Sequence, residues 1–428
     1  MNRRSILKSI SAIAPVAVWQ PSAILNELEK NYQSSVRDFE LLPTENSHDE
    51  DFWRGIREAY SCSPSIINFN NGGVSPQPRV VQNAVEYYNR MCNEAPSYYM
   101  WRILDQGREP LREKLAGIAG CSAEELAINR NSSEALETII FGLRLKAGDE
   151  IVLAKQDYPN MINAWKQRAH RDGLVLKWVN LELPSEDDSY MVDAYVRQIT
   201  DKTKLLHLTH VINWNGQVLP VKKIAAEAKK RGIEVMVDGA QSFAQLCYSI
   251  SDLGVDYFVT SIHKWLSAPF GSGLLYVKKD KIKSLYPLLA AADPESTDIR
   301  KFESLGTRSF AIEQAISHAI DFYEHIGAQR KFDRLHSLQR YWSDKVKDHP
   351  KIKLNHPLSK THSGVIGNFI IQDKTAEEIS SKLFEHYKIH TVAIKWENIH
   401  GVRVTPNVYT THAELDKFVN AVLKIAGG

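Results

Sequence analysis

The segment from about residue 110 to residue 280 limits the fold most, because short apolar runs rich in β-branched residues alternate there with helical patterns. This alternation is typical of βαβ units on a largely parallel sheet. The predicted strands are Glu125 to Asn129, Glu150 to Leu153, Leu205 to Val211, Glu234 to Val237, Tyr257 to Thr260 and Gly273 to Val277. Val221 to Arg231 is expected to form a helix that Gly232 ends. We therefore expect one large α/β domain.

A different pattern follows residue 300. Ile312, Ile316 and Ile320 recur every four residues and predict one long amphipathic helix between two domains. Three further strands are predicted: Val365 to Ile371, Thr391 to Ile394 and Val402 to Thr405. Two capping boxes, Thr375-x-x-Glu378 and Thr411-x-x-Glu414, predict the starts of two helices. They predict a smaller C-terminal α+β domain. We place an N-terminal arm at 31–65, the large domain at 66–305, and the bridging helix with the small domain at 306–428.

Charge and hydropathy exclude two classes of protein. The 428 residues carry 53 Lys and Arg against 51 Asp and Glu, a formal charge of +2, and no basic run stands out. Nucleic acid is therefore not an expected partner. No stretch approaches the roughly 18 consecutive apolar residues that cross a bilayer, so we expect no membrane-spanning segment.

The cysteines and the paired histidines give no metal or disulfide signal. Cys62, Cys92, Cys121 and Cys247 are widely separated and are expected to be free and mostly buried. His207 and His210 lie three residues apart on a predicted strand and so face opposite sides, which favours a core role over metal ligation. No metal site is expected.

The N-terminus resembles a bacterial twin-arginine export signal. Arg3 and Arg4 precede Ile-Leu-Lys and a weakly apolar stretch that ends at Trp19. We assign residues 1–30 to this signal and expect export of the folded protein to the periplasm. The alternative is a cytoplasmic protein with a basic N-terminus.

Two chemistry-bearing residues follow successive predicted strands, and the carboxyl ends of parallel strands form the ligand edge of such a sheet. Asp238 ends an apolar strand, where a buried carboxylate needs a cationic partner. Lys264 follows the next strand, beside Trp265, and can form an imine with a carbonyl cofactor if its pKa falls from about 10.4. The pair indicates pyridoxal 5'-phosphate, with Asp238 at the pyridine nitrogen and Lys264 as the Schiff base.

A phosphate site is predicted where the strand that ends at Asn129 runs into a helix. Ser132 and Ser133 lie at the start of that helix, where free amides and hydroxyls bind anions. A plain N-cap role for Ser132 is the alternative. The neighbouring Asp238 and Lys264 favour the phosphate role.

The runs Asp238-Gly-Ala-Gln241 and Ser261-x-His263-Lys264 resemble the class V aminotransferase family. This family has the type I fold of pyridoxal phosphate enzymes and includes cysteine desulfurases, selenocysteine lyases and isopenicillin N epimerase-like proteins. The resemblance extends from about Phe69 to the C-terminus. It implies a large domain with a mainly parallel sheet and a small C-terminal domain.

The resemblance also implies roles for residues around the cofactor. Gln241 and Asn213 match the family's hydrogen-bonding residues near the ring hydroxyl. Ser133, Ser261 and His263 match phosphate ligands, in addition to the Schiff-base role of Lys264 and the pyridine role of Asp238.

Two further matches lie toward the C-terminus. Gly306 and Thr307 resemble a pair that reaches the phosphate of the neighbouring subunit, which implies a homodimer. Arg403 matches the arginine that holds the substrate carboxylate.

Two departures from the desulfurase pattern favour the epimerase-like branch. Tyr158 stands at the position where desulfurases have a histidine that stacks on the cofactor ring. A tyrosine ring can still stack on the cofactor, but it cannot shuttle a proton as an imidazole does. Desulfurases also need a thiol in the small domain, and no cysteine follows Cys247. Cys247 itself is expected to be buried in a helical segment.

The expected activity is that of a pyridoxal phosphate enzyme acting on an amino acid, or on a molecule that contains one, through an external aldimine. A C–S or other β-lyase, a periplasmic enzyme that modifies a peptide or siderophore, and a non-catalytic cofactor-binding protein stay open as alternatives. A nucleotide-dependent enzyme would need a G-x-G-x-x-G or Walker A run, and neither occurs. Tyr98, Tyr99, Trp101 and Arg102 are weak candidates for a substrate mouth.

Overall fold

The computed structural model describes residues 23–40, 42 and 50–427. The predicted export motif at Arg3 and Arg4 lies outside these residues. Across the described ranges, no helix combines the length and hydropathy that a bilayer span requires.

The α-helices of the described chain are α1 (Ala23–Glu40), α2 (Glu50–Glu58), α3 (Arg79–Glu94), α4 (Pro96–Tyr98), α5 (Arg108–Ala119), α6 (Ser132–Gly142), α7 (Pro159–Asp172), α8 (Asp188–Val196), α9 (Val221–Lys229), α10 (Ile250–Leu253), α11 (Phe310–Ile326), α12 (Ala328–Val346), α13 (Ala376–Tyr387) and α14 (His412–Gly427). A π-helical turn covers Tyr99–Ile103, and short 3₁₀ segments cover Leu104–Gly107, Ala123–Glu125, Lys279–Lys281 and Ile299–Glu303.

The strands are β1 (Ile67–Asn68), β2 (Leu126–Asn129), β3 (Glu150–Ala154), β4 (Val175–Val179), β5 (Thr203–Thr209), β6 (Glu234–Asp238), β7 (Tyr257–Ser261), β8 (Gly273–Val277), β9 (Ile352–Leu354), β10 (Gly367–Ile371), β11 (Ile389–His390), β12 (Val392–Trp396) and β13 (Ile399–Val404). Each strand predicted from the sequence is present, and its bounds differ by a few residues at most. The sequence missed β1, β4, β9 and β11.

The central sheet of the large domain has the order β2-β8-β7-β6-β5-β3-β4. Its strands are parallel except β8, which is antiparallel to both β2 and β7. Along β3, Val152 and Ala154 pack into the core on one face, while Ile151 and Leu153 pack into the core on the other. A sheet covered on both faces explains the continuous apolar runs, and the predicted α/β architecture is confirmed.

The small domain contains the antiparallel sheet β12-β13-β10-β9, as the predicted α+β domain requires. Both predicted capping boxes are present. Thr375 Oγ1 accepts from the Glu378 amide at 3.2 Å, and Glu378 Oε2 accepts from the Thr375 amide at 2.8 Å. Thr411 and Glu414 form the same two bonds at the same distances. Each box satisfies amides that the first helical turn leaves free.

Two connections fix how the domains meet. Helix α11 buries Ile316 and Ile320 and packs along α3 of the large domain, and the chain turns at Gly327 directly into α12. Strand β1 pairs in parallel with β11 of the small domain, and Asn70 bridges to Thr405. The small domain therefore holds the segment that leads into the run Asn70-Asn71-Gly72-Gly73.

Candidate active site

A cavity of about 270 Å³ opens at the carboxyl ends of β5, β6 and β7. It is lined by Gly73, Asn131, Ser132, Ser133, Tyr158, Thr209, Val211, Asn213, Asp238, Ala240, Gln241, Ser261, His263 and Lys264. Every cofactor-binding residue predicted from the sequence is in this set except Thr307. Successive strand ends thus meet at one edge, as the topology of a parallel sheet requires.

Asp238 is the last residue of β6 and is buried. Its Oδ1 accepts a hydrogen bond from the Ala240 amide at 2.9 Å. Burial raises the pKa of this carboxyl, and the Ala240 amide and the Lys264 ammonium oppose the rise. Within the described ranges, no cation lies within 4 Å of its oxygens. The carboxyl can therefore accept a charged donor from a bound molecule.

Lys264 lies at the turn after β7. Burial lowers the pKa of its ammonium to about 8, with Arg403 adding to the decrease and Asp238 opposing it. This lower pKa increases the fraction of amine that is unprotonated near neutral pH. The next side chain, Trp265, is fully buried, and its indole N–H donates to Gln241 Oε1 at 2.9 Å. Gln241 Nε2 donates to the Gly72 carbonyl at 2.8 Å, so both bonds orient the Gln241 amide at this edge of the sheet.

The start of α6 forms the other end of the cavity. Asn131 is the N-cap residue, since its Oδ1 accepts from the Glu134 amide at 2.9 Å. The alternative N-cap role for Ser132 is therefore wrong. Ser261 Oγ accepts from the Ser132 amide and donates to Ser132 Oγ, each at 2.9 Å. A Cβ at Gly273 would lie 2.6 Å from the Asn131 Cα, so only glycine lets β8 begin this close to the start of α6.

His263 is half-buried on the same side. Its Nδ1 lies 3.1 Å from the Ser272 carbonyl, which can only accept, so Nδ1 carries the proton. Burial lowers the pKa of the ring, and the neighbouring Lys264 lowers it further. Both effects favour the neutral form of the ring relative to a free histidine.

Arg403 reaches the cavity region from β13 of the small domain. Its Nη1 donates to the Asn213 carbonyl at 3.0 Å, and its Nη2 donates to Asn70 Oδ1 at 2.9 Å. Burial lowers the pKa of the guanidinium to about 10. Its Nε is buried and has no hydrogen-bond partner among the described residues. The sequence did not predict Asn70, although it lies in the Asn-Asn-Gly-Gly run.

Two buried groups were also missed: Thr209, which lines the cavity, and Asp157, its hydrogen-bond partner. Thr209 Oγ1 donates to Asp157 Oδ1 at 2.7 Å, and the Ala154 amide donates to Asp157 Oδ2 at 2.8 Å. Burial raises the pKa of Asp157 to about 7, and these hydrogen bonds oppose the rise. Asp157 thereby anchors the backbone immediately before Tyr158. The polar run from Asp157 to Asn160 was the available signal.

Tyr158 precedes α7, and 41% of its surface is exposed. Its ring stacks toward Trp214 with centroids 6.5 Å apart, and Trp214 stacks on Trp396 at 5.4 Å. Neither tryptophan was predicted, because the two are far apart in sequence and no local pattern relates them.

The other candidates lie outside the cavity lining. Thr307 is exposed, as are Tyr98 and Trp101. All four cysteines are free, as predicted, but Cys92 alone among them is buried, so the expectation that most of them are buried is wrong. The prediction that a helix buries Cys247 is wrong: residues 240–246 form turns, and Cys247 is exposed beside a separate cavity with Phe243 and Tyr323.

Two neighbours of known structure share the fold of this chain. The apo cysteine desulfurase of Thermococcus onnurineus NA1 superimposes with a TM-score of 0.78 at 22% identity, covering 87% of this chain and 98% of that one. The cystine C–S lyase C-DES, in complex with cysteine persulfide, gives 0.76 at 22% identity, covering 83% and 97%.

Sequence comparison assigns the family. The aminotransferase class-V profile matches residues 66–418. The isopenicillin N epimerase of Streptomyces clavuligerus is 28% identical over 393 residues, which is 88% of this chain and 98% of that protein. A probable cysteine desulfurase of Halalkalibacterium halodurans is 28% identical over 335 residues, 74% and 80% of the two chains. The chain belongs to the class V aminotransferase family, and the cofactor predicted from its sequence is that of the family.

Proposed function

We propose that the protein binds pyridoxal phosphate in the described cavity and changes bonds at the α-carbon of a substrate with a free amine and carboxylate. The observation that carries the proposal is the placement of Asp238 and Lys264. They come from neighbouring strands, line one cavity with an anion-binding helix start, and form no ion pair with any described residue.

The donor set fits each part of the cofactor. The amides and hydroxyls of Ser132, Ser133 and Ser261 suit a phosphate. Because Nδ1 of His263 already donates to the Ser272 carbonyl, its Nε2 would donate to the phosphate only with the ring protonated. Asp238 suits a protonated pyridine nitrogen. Tyr158 would cover one face of the ring, and Asn213 and Gln241 would hold its hydroxyl, since all three line the cavity.

The charge and protonation of Lys264 and Arg403 suggest their roles in the reaction. Bound pyridoxal phosphate supplies an electron sink for charge released at the α-carbon. Lys264, with a pKa near 8, can take and return a proton close to neutral pH. Arg403 can orient a substrate carboxylate through its guanidinium fork.

We favour an epimerase-like reaction, in which the proton returns to the α-carbon and no group leaves. The 28% identity with isopenicillin N epimerase over nearly that whole protein supports this branch, as does the absence of cysteine from the cavity lining. A C–S or other β-lyase is the second candidate. Elimination needs no enzyme thiol, and a cystine C–S lyase shares the fold.

Incubation of the purified protein with amino acids and short peptides in deuterated water tests the reaction class. We expect a yellow protein whose absorption changes with its substrate, and deuterium at the α-carbon of substrate recovered in both configurations. Release of sulfide or a keto acid would instead support elimination. A protein that gains no absorption with pyridoxal phosphate would contradict the proposal.

Arg403→Ala should raise KM for the amino substrate by about 10- to 100-fold, from the loss of a charge-assisted interaction of about 1.5–3 kcal/mol, with a smaller effect on kcat. Arg403→Lys keeps the charge and loses the fork, so it should recover only part of the affinity. Asn70→Ala removes only the hydrogen bond that Arg403 Nη2 donates within the protein, so it is the control and should change KM less than Arg403→Ala does. An unchanged KM in Arg403→Ala would contradict the substrate role. Steady-state kinetics at constant pH measures all three variants.

A homodimer is the assembly that we propose, with Thr307 acting on the partner's cofactor. Thr307 is exposed and is not part of the lining of its own cavity, which supports a role across an interface. Several large apolar side chains are also exposed: Tyr98, Trp101, Phe270, Tyr286, Leu288 and Leu289.

Mixed dimers of Lys264→Ala and Thr307→Ala chains check the assignment of Thr307. If Thr307 acts across the interface, one of the two sites in a mixed dimer has both native residues and regains activity. If it acts within its own chain, both sites stay defective. Sedimentation must first show the dimer.

We also propose export by the twin-arginine route, supported by Arg3 and Arg4 before an apolar stretch. Fractionation of the native host should find the protein outside the cytoplasm and find the Arg3→Lys, Arg4→Lys double variant inside it. A cytoplasmic native protein would contradict export.

A further inference from the structure

The turn that follows β5 carries an indole that is stacked between the two domains. Trp214 stacks on Trp396 of the small domain with centroids 5.4 Å apart and planes 26° apart. On the large-domain side, the Tyr158 ring lies 6.5 Å from Trp214 at 28°. The three rings form a row that leads from the small domain to the cavity, which Tyr158 lines.

Hydrogen bonds hold both indoles of this row. The Trp214 N–H donates to the Gln156 carbonyl at 2.8 Å, and the Trp396 N–H donates to the Lys155 carbonyl at 3.0 Å. These carbonyls lie two and three residues before Tyr158. The orientation of both rings is therefore tied to the backbone that leads into Tyr158.

Small-domain residues also hold the backbone of the turn. The Asn213 carbonyl accepts from Arg403 at 3.0 Å, and the Trp214 carbonyl accepts from Asn368 Nδ2 at 3.1 Å. Gly216 has φ +79°, and a Cβ there would lie 2.1 Å from the Ile366 carbonyl oxygen. The turn thus makes close contact with two strands of the small domain and the residue before β10, while Asn213 lines the cavity.

Besides Trp214, the Arg403 guanidinium is close enough to Tyr158 to interact with it electrostatically. The Tyr158 side chain is 41% exposed, and no hydrogen bond of its hydroxyl to the described residues is present. Trp214 is its one aromatic neighbour in the described part of the chain. Removal of the indole would leave the tyrosine freer to rotate toward solvent.

We propose that Trp214 is a positioning residue that orients Tyr158 over the cofactor ring and, through the adjoining Asn213 carbonyl, orients Arg403 toward the substrate carboxylate. The turn thereby couples the position of the small domain to both binding steps. This inference rests on the proposed function, because it assigns the cofactor to the cavity beside Tyr158 and the substrate to Arg403.

Trp214→Ala should raise the Kd for pyridoxal phosphate on the apo protein about tenfold, since a stacked ring contact has an energy comparable to a tenfold change in binding. It should also remove most of the visible circular dichroism of the bound cofactor and raise KM more than it lowers kcat. Trp214→Phe retains a stacking ring and should recover the dichroism, with a Kd within about threefold of the native value.

Trp178→Ala is the matched control, since Trp178 is a half-buried indole on β4 that does not line the cavity. It should leave the Kd, the dichroism and the ratio of KM to kcat unchanged. Trp396→Ala is the second variant if Trp214→Ala does not fold, and it should shift the same quantities in the same direction. Equal losses in the control, or native values in both test variants, would overturn the inference. A native protein that binds no pyridoxal phosphate would instead overturn the proposed function.

Discussion

Lys264→Ala is expected to remove covalent cofactor attachment and to lower kcat by about 10²- to 10⁴-fold or more, the range that a general acid–base group contributes. The fold should persist, because the Lys264 side chain makes no hydrogen bond or ion pair with the described residues. Borohydride reduction followed by peptide mass spectrometry should find the cofactor on Lys264 in the native protein and on no residue of the variant.

Lys264→Arg is the matched variant, since it keeps a positive charge beside Asp238 without a nucleophilic amine. It should bind cofactor without a covalent bond and show no turnover. Covalent attachment that persists in either variant would contradict the assignment of Lys264.

The pH dependence of cofactor loading adds a second check on the same residue. Only the unprotonated amine is a nucleophile, and the pKa of Lys264 is lowered to about 8. The rate of covalent loading of the apo protein should therefore rise with pH about tenfold per unit below pH 8 and level off above it. A rate that does not change between pH 6 and pH 9 would be inconsistent with attack by this amine.

Asp238→Asn is expected to weaken pyridoxal phosphate binding by about 10- to 100-fold, corresponding to about 1.5–3 kcal/mol for a charge-assisted hydrogen bond. The amide has nearly the same shape and can still accept from the Ala240 amide, so the turn after β6 should be retained. It carries no charge to keep a pyridine nitrogen protonated, so kcat should fall as well. Titration of the apo protein by absorption and steady-state kinetics measure the two effects.

Asp256→Asn is the matched control for Asp238→Asn. Asp256 lies at the opposite end of the sheet, where its Oδ2 accepts from the Val235 amide at 2.9 Å, and burial also raises the pKa of its carboxyl. Its substitution should leave cofactor binding and kcat unchanged. Full activity and native cofactor affinity in Asp238→Asn would contradict the role of Asp238.

The sequence alone determined the class of fold and the centre of the candidate site. Strand and helix periodicity depend on neighbouring residues, and a capping box such as Thr375 with Glu378 spans only four positions, so both can be predicted locally. Asp238 and Lys264 could be paired from their positions after successive strands, because the carboxyl ends of parallel strands meet at one edge. Motif resemblance then supplied the cofactor.

Some local sequence patterns led to wrong predictions, and others were too weak to predict an element that is present. Ser132 resembled an N-cap, but Asn131 takes that position, since a side chain one residue earlier reaches the Glu134 amide. Strand β4 was missed because it is an edge strand with Val175 exposed, so its sequence has no continuous apolar run. The exposure of Cys247 depends on a succession of turns that no periodic pattern describes.

Only the tertiary structure decided which distant residues meet beside the cavity. Asn70 meets Arg403 across a separation of 333 positions in the chain, and Trp214 of the large domain meets Trp396 of the small one. Such contacts arise from the packing of one domain on the other, and no sequence spacing encodes them. The physical reason is that hydrogen-bond and ring geometry at a domain interface is fixed by the backbone positions of both domains, which the chain acquires only when both have folded.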